Sequence, residues 1–281
     1  MKRLRGCLLA CAALVKSLLA PGIQPSSATG RSESTHSYGT HPRRKLDAYW
    51  TTSNSSQPRI IILHGGYEYE GSEVATRSRH FADRGYAAFS VDYRLNLDVS
   101  WAAPRTDPIS AIDRIRDNVA KFDLDPERLG SSAGAQIATA LAAYGAGANR
   151  VGGVVALAPT TSPYRAWDDR NHDTSTDKQR KIRNNATILA RFPYPADTDT
   201  SLHASCWGTW TDFVVKNRAS GVDDAPVQLS LDLEEAEEVG HGMHTDGVTV
   251  ETAARSSAHG SALLDIPGMP EKVLARIGTH V

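Results

Sequence analysis

Cysteine is scarce in this chain, with three in 281 residues. Cys7 and Cys11 lie near the N-terminus and Cys206 stands alone, so no internal disulfide is expected in a mature protein. No Cys/His spacing of the metal-binding kind is present, and no metal site or organic cofactor is expected. An excess of one charge is also lacking: 31 Lys and Arg face 32 Asp and Glu, for a formal net charge of −1. Nothing in that balance draws the chain to nucleic acid or to an anionic membrane surface. No apolar stretch runs uninterrupted for the ~20 residues of a membrane span, and no internal repeat is visible. What remains is ordinary globular composition, 40% hydrophobic and 22% charged, enough for one sizeable core.

Residues 1–28 read as an export signal. Lys2, Arg3 and Arg5 make a basic start, an apolar run follows with Lys16 inside it, and Ser26-Ser27-Ala28 offers small residues for cleavage. The mature protein is therefore expected to be secreted. Residues 29–44 are polar, rich in Ser, Thr, Gly and His, and expected as a flexible lead-in. Asn54-Ser55-Ser56 and Asn185-Ala186-Thr187 fit the N-glycosylation pattern.

From there the chain alternates. Arg59–Leu63 and Tyr86–Val91 are short apolar runs of the kind buried on both faces of a parallel sheet. Ala75–Arg84 has helical spacing, and Pro108–Phe122 puts Ile109, Ile112, Ile115 and Val119 on one helix face. Further strands are expected at 151–157, 226–230 and 247–252, and further helices at 234–239 and 271–277. Such alternation implies a parallel sheet covered on both faces. Residues 160–224 break the rhythm. They are polar, carry Trp167, Trp207 and Trp210, and read as a cap over the strand ends. One domain over 45–281, cap included, is the expected organisation.

The stretch that organises the rest is Gly130-Ser131-Ser132-Ala133-Gly134, followed by an apolar helix-forming run from Ala135 to Ala143. This is a G-x-S-x-G pattern. It sets a serine on a sharp strand-to-helix turn, with small residues where backbone passes close by. The helix behind it points its N-terminal N–H groups at the site, which suits a developing negative charge. Ser132 is the candidate nucleophile.

Three further marks accompany it: His64-Gly65-Gly66 at the end of a buried strand, Asp92-Tyr93-Arg94 after the next, and Asp125-Pro126-Glu127-Arg128 just before the serine turn. Together they resemble α/β-hydrolase-fold esterases of the hormone-sensitive-lipase and feruloyl-esterase-like kind. The resemblance covers about 59–157 and resumes more weakly from Pro226. It implies the α/β-hydrolase fold and acyl transfer on a small-molecule ester, with Ser132 attacking the carbonyl, a histidine taking its proton and a carboxylate orienting the histidine. It also implies an oxyanion hole from the N–H groups of Ala133, Gly66 and Tyr67. Tyr67 stands where many relatives have a third glycine.

The fold's chain order is Ser, acid, His. His259 follows the last expected strand and is chosen over His241 and His244, which precede that strand, and over His280 near the terminus. The acid is expected just past the strand at 226–230. Asp232 fits that order and Asp246 is the second choice, while a third reading leaves the acid absent. Two segments are short. Only Leu129 separates Arg128 from Gly130, although a central parallel strand normally needs ~5 residues, so either the strand is truncated or residues such as Glu127 and Arg128 are drawn into it. The acid segment after Ser230 is also brief. These shortfalls sustain an alternative, a catalytically impaired protein of the same fold acting as a binding module.

Overall fold

A computed structural model of the chain describes residues 30–53, 57–66, 72–118, 124–131, 133–144, 151–157, 177–191, 209, 212, 227–231, 250–254, 264 and 266–278. The strands are β1 (Arg31–Ser37), β2 (Lys45–Thr51), β3 (Gln57–Leu63), β4 (Ala87–Val91), β5 (Leu124–Ser131), β6 (Val154–Leu157), β7 (Val227–Leu231) and β8 (Val250–Ala254). The helices are α1 (Ser72–Ala82), α2 (Ala103–Arg116), α3 (Ala133–Ala143), α4 (Asp177–Ala190) and α5 (Met269–Gly278). The strands form one sheet in the order β1-β2-β4-β3-β5-β6-β7-β8. β2 runs antiparallel to both of its neighbours, and every pairing from β4 to β8 is parallel.

The period of two in β3 builds both layers of core. Ile61 and Leu63 join Phe89, Val91, Ile112 and Ile137 in a cluster beneath α2 and α3. Ile60 and Ile62 point the other way and pack with Val74, Phe81 and Val273 of α1 and α5. Each such side chain contributes roughly 1.5–3 kcal/mol when fully buried. α3 is buried from Gly134 to Ala143, as its nearly continuous apolar sequence requires of a helix covered on all sides.

Three expectations shift, and one choice left open is decided. The polar lead-in at 29–44 contains β1, paired with β2 over all seven of its residues from Arg31↔Thr51 to Ser37↔Lys45. A charged, alternating sequence suits an edge strand, where one margin faces solvent. The helix expected from Pro108 starts at Ala103, because Pro104 takes the first-turn position that favours proline and Pro108 lies inside. The last strand sits at 250–254, two residues beyond its expected end. The segment before the serine turn is not truncated: β5 draws in Asp125, Pro126, Glu127 and Arg128 and runs eight residues. It pairs with β3 from Gln57↔Leu124 to Leu63↔Gly130 and with β6 only from Arg128↔Val154 onward. Pro126 therefore falls where the strand has a single neighbour, the position at which a missing N–H is tolerated. The helix expected at 234–239 lies outside the described residues.

Candidate active site

All six parallel strands end at one edge of the sheet. A row of paired residues crosses it there, Val91–Leu63–Gly130–Ala156–Leu229–Thr252. The residues that follow these strands are the ones singled out above: His64 to Gly66 after β3, Asp92 after β4, Ser132 after β5, Asp232 after β7 and His259 beyond β8. Ligands in parallel α/β sheets bind at that edge.

Ser131 ends β5 and Ala133 opens α3, so the nucleophile candidate is the single residue between strand and helix. Ser132 itself, together with Tyr67, Asp232, Asp246, His259, Trp167, Trp207 and Trp210, lies outside the described residues. Ala133 is the first residue of its helix, where N–H groups have no partner within the helix and are free to meet an anion. Gly134 explains the small residue at its position. A Cβ there would stand 2.3 Å from the His64 carbonyl oxygen and 2.4 Å from that of Leu63. The first turn of α3 is pressed against the backbone that leads to Gly66, which brings two of the three expected oxyanion segments side by side. Gly66 has φ +76°, a left-handed conformation that glycine adopts without steric cost.

His64 is buried, at 4% exposure, and its ring is fully engaged. Nε2 lies 3.0 Å from Asp92 Oδ1, and Nδ1 lies 2.9 Å from the Gly65 carbonyl oxygen. The ring stacks on Tyr93 at 4.3 Å between centroids and 6° between planes. The Tyr93 hydroxyl donates to the His64 carbonyl at 2.7 Å. His64 is thus a fixture of the loop, held between the Asp92 carboxylate, the Gly65 carbonyl and the Tyr93 ring. Arg94, the third member of that motif, grips the buried Asp107 with Nε at 2.8 Å and Nη2 at 2.7 Å, and its backbone N–H adds a third bond at 3.1 Å. The Asp92-Tyr93-Arg94 run served the sequence reading only as a family mark. Its structural work is to hold the His64 loop to the sheet edge and to α2. An acid, an aromatic and a cation directly after a buried strand was the available signal.

Further along the same loop after β4, α4 docks from within the expected cap. The Trp101 N–H donates to the Leu189 carbonyl at 2.9 Å, and Trp101 Nε1 donates to Asp212 at 2.7 Å. Asn185 is 5% exposed and faces Asn96 at 3.5 Å. The glycosylation pattern at 185 therefore lies on a side chain that the fold hides. No helix among the described residues is long and apolar enough to cross a membrane.

Comparisons with known proteins give a family and a fold. A family model described as BD-FAE matches residues 46–188. Over 107 residues the chain is 33% identical to a probable isoprenylcysteine alpha-carbonyl methylesterase of Oryza sativa subsp. japonica, a stretch that is 36% of this chain and 25% of that protein. The chain spans about a quarter of the length of the curated relatives it matches. Among solved structures, esterase B from Lactobacillus rhamnosis aligns with a TM-score of 0.69 at 18% identity, covering 92% of this chain and 87% of that one. A fungal esterase from Rhizomucor miehei aligns with a TM-score of 0.65 at 16% identity, covering 90% and 84%. At these identities the two structures speak for the fold.

Proposed function

The chain belongs to the BD-FAE family, an esterase family of α/β-hydrolase fold, and from that premise we propose that it hydrolyses small-molecule carboxylic esters with Ser132 as nucleophile, His259 as base and Asp232 as the orienting acid. The observation that carries the reading is the junction itself. A single serine separates the end of a central strand from the start of a buried helix, and that helix is pressed on the carbonyls of Leu63 and His64. Ser132 attacks the ester carbonyl while His259 takes its proton. The oxyanion collects on the N–H groups of Ala133, Gly66 and Tyr67. His259 then returns the proton to the leaving alcohol, and water repeats the sequence on the acyl-enzyme.

Chain reach supports the assignment. β7 lies two strands from β5 and β8 three, distances of ~10 and ~14 Å at the usual strand spacing. Asp232 directly follows Leu231, and His259 stands five residues past Ala254, a length that can span ~17 Å. The histidine can therefore return across the sheet to the serine while the acid stays over its own strand. One of the two features favouring an inert relative, the missing strand before the serine, is absent, since β5 is eight residues long.

Ser132→Ala should abolish turnover of a short p-nitrophenyl ester and labelling by a fluorophosphonate probe, leaving the unfolding midpoint unchanged. Comparable turnover by that variant would remove Ser132 from the role. His259→Ala should lose as much, because triad members act as a unit; full activity there, with His241→Ala dead, would move the base. Export by the 1–28 leader is a separate proposal on its basic start and apolar run. Recovery of the protein from the medium, cut near Ala28, is the outcome expected.

A further inference from the structure

The hairpin turn between β1 and β2, residues 38–44, precedes the stretch that the family model matches, and it closes on Asp92 from several sides. The Tyr38 hydroxyl donates to the Asp92 carbonyl oxygen. The Asp92 N–H donates to the Lys45 carbonyl at 3.0 Å, just past the turn. Arg43 places Nη1 4.0 Å from Asp92 Oδ1 and Nε 3.1 Å from Asp98. The turn is itself braced. The Tyr38 N–H donates to the Arg44 carbonyl at 2.9 Å, and the Arg44 guanidinium lies over the Tyr38 ring at 5.2 Å and reaches Asp107 at 3.3 Å. A Cβ at Gly39 would stand 2.4 Å from that guanidinium, so the turn closes tightly over it.

Asp92 is also the residue whose carboxylate holds His64 Nε2, and His64 leads into Gly65 and Gly66. We infer that Tyr38 and Arg43 are positioning residues of the oxyanion loop, acting through Asp92 and His64 on the Gly66 backbone. The inference rests on the ester-hydrolase reading, in which Gly66 donates to the oxyanion. Tyr38 fixes the backbone of Asp92 and Arg43 steadies its carboxylate, so the imidazole is trapped between Asp92 and the face of Tyr93. Burial and the nearby Asp107 raise the Tyr38 phenol far above its ordinary value. Tyr38 therefore keeps its proton, and so remains a donor, at neutral pH and well above it. Loss of an oxyanion donor costs ~100–1,000-fold in turnover, and loosening the loop that carries one should cost part of that.

The test uses the full chain. Tyr38→Phe should lower kcat on a p-nitrophenyl ester about 10-fold with KM within about twofold. Thr40→Ala, an exposed change in the same turn, should leave both unchanged. Amide hydrogen exchange over 64–66 should quicken in Tyr38→Phe and not in Thr40→Ala. Arg43→Gln, at a partly exposed side chain, should give a smaller loss of kcat and keeps the test open if Tyr38→Phe does not fold. Arg43→Gln should cost less on top of Asp92→Asn than it costs alone, because part of its effect runs through the Asp92 carboxylate and the rest through Asp98. Unchanged exchange at 64–66, or unchanged kcat alongside quickened exchange, would overturn the inference. If the wild type neither hydrolyses esters nor labels while exchange still quickens, the ester-hydrolase reading falls and the brace on the loop stands.

Discussion

β3 and β5 lie side by side at the centre of the sheet, in register over seven residues, and their sequences could hardly differ more. β3 reads Gln-Pro-Arg-Ile-Ile-Ile-Leu and β5 reads Leu-Asp-Pro-Glu-Arg-Leu-Gly-Ser. β3 has the β-branched run that fits a pleated surface and supplies both layers of core, with Ile60, Ile61, Ile62 and Leu63 all under 5% exposed. β5 has little intrinsic preference for a strand. Its extended conformation is imposed by the backbone ladders of β3 on one side and β6 on the other, a case of tertiary context overriding propensity. β1, at the sheet margin, is a second strand of polar sequence, laddered to β2 on one side and tied by ion pairs to α1 and the turn after it. Arg79 of α1 grips Glu33 with Nε at 2.9 Å and Nη2 at 3.0 Å, and Arg31 reaches Asp83 at 2.9 Å. Strands can thus be held by their own side chains, by their neighbours' ladders or by ion pairs to a helix, and each mode fails differently.

The largest effect should come from lengthening β5. Four β-branched residues inserted between Leu129 and Gly130 look like a repair when the sequence alone is read. In the sheet they would displace Leu124–Leu129 by ~13 Å along β3 and break a ladder already satisfied. We expect a loss on the order of 5 kcal/mol, enough to threaten a domain whose net stability is ~5–15 kcal/mol. Urea unfolding measures it, and a gain in stability would mean that β5 is not paired in this register. Ile61→Ala probes the opposite case, a strand held by its own side chains. At 3% exposure within a packed cluster, it should cost ~2–5 kcal/mol. A cost below about 1 kcal/mol would show that β3 too is held mainly by its neighbours.

Gly134→Ala tests the junction that β5 exists to present. The new Cβ would meet backbone oxygens 2.3 and 2.4 Å away, and backbone cannot swing aside as a flexible side chain can. We expect ~1–3 kcal/mol of destabilisation and a fall in turnover of about 100-fold from displacement of the serine turn. Wild-type kinetics in this variant would mean that α3 can move away from β3 freely.

The features legible in the sequence were those with local causes. Ile60 to Leu63 announced a buried strand, the apolar run from Ala135 to Ala143 announced a buried helix, and the alternation announced a parallel sheet with helices on both faces. Gly130 and Gly134 marked the serine turn, because a close approach of backbone leaves a glycine behind. What stayed hidden depended on partners distant in sequence. Asp125 to Arg128 become strand only beside Pro58 to Ile61. Arg31 to Ser37 become strand only when Lys45 to Thr51 and Arg79 are in place. The role of Asp92 emerges once His64, Tyr38 and Arg43 surround it. On the acid and base side, Asp232 and His259 rest on chain order and reach, since both lie outside the described residues.

The smallest expected effect concerns β1 and separates charge pairing from ladder pairing. Glu33 has its carboxyl held below the ordinary value of 4.5, first by the hydrogen bond from Arg79 and further by the charges of Arg79 and Arg31. A carboxylate whose folded value is depressed binds fewer protons in the folded state than in the unfolded one. Its contribution is therefore complete above about 4.5 and is lost as pH falls through the lower folded value. Glu33 is at the surface, so the contribution is small and weakened by salt. Wild type should protect the amides of 31–37 from hydrogen exchange slightly better than Glu33→Gln at about pH 6. That difference should fade as pH falls through the lowered value of Glu33 and vanish once its carboxyl is protonated and both side chains are neutral. β5, paired on both sides through its backbone, should show no such change in the same comparison. No protection difference at 31–37 at about pH 6, where Glu33 is charged, would mean that the ladder to β2 alone holds the edge, and that β1 belongs with β5 as a strand fixed by its neighbour.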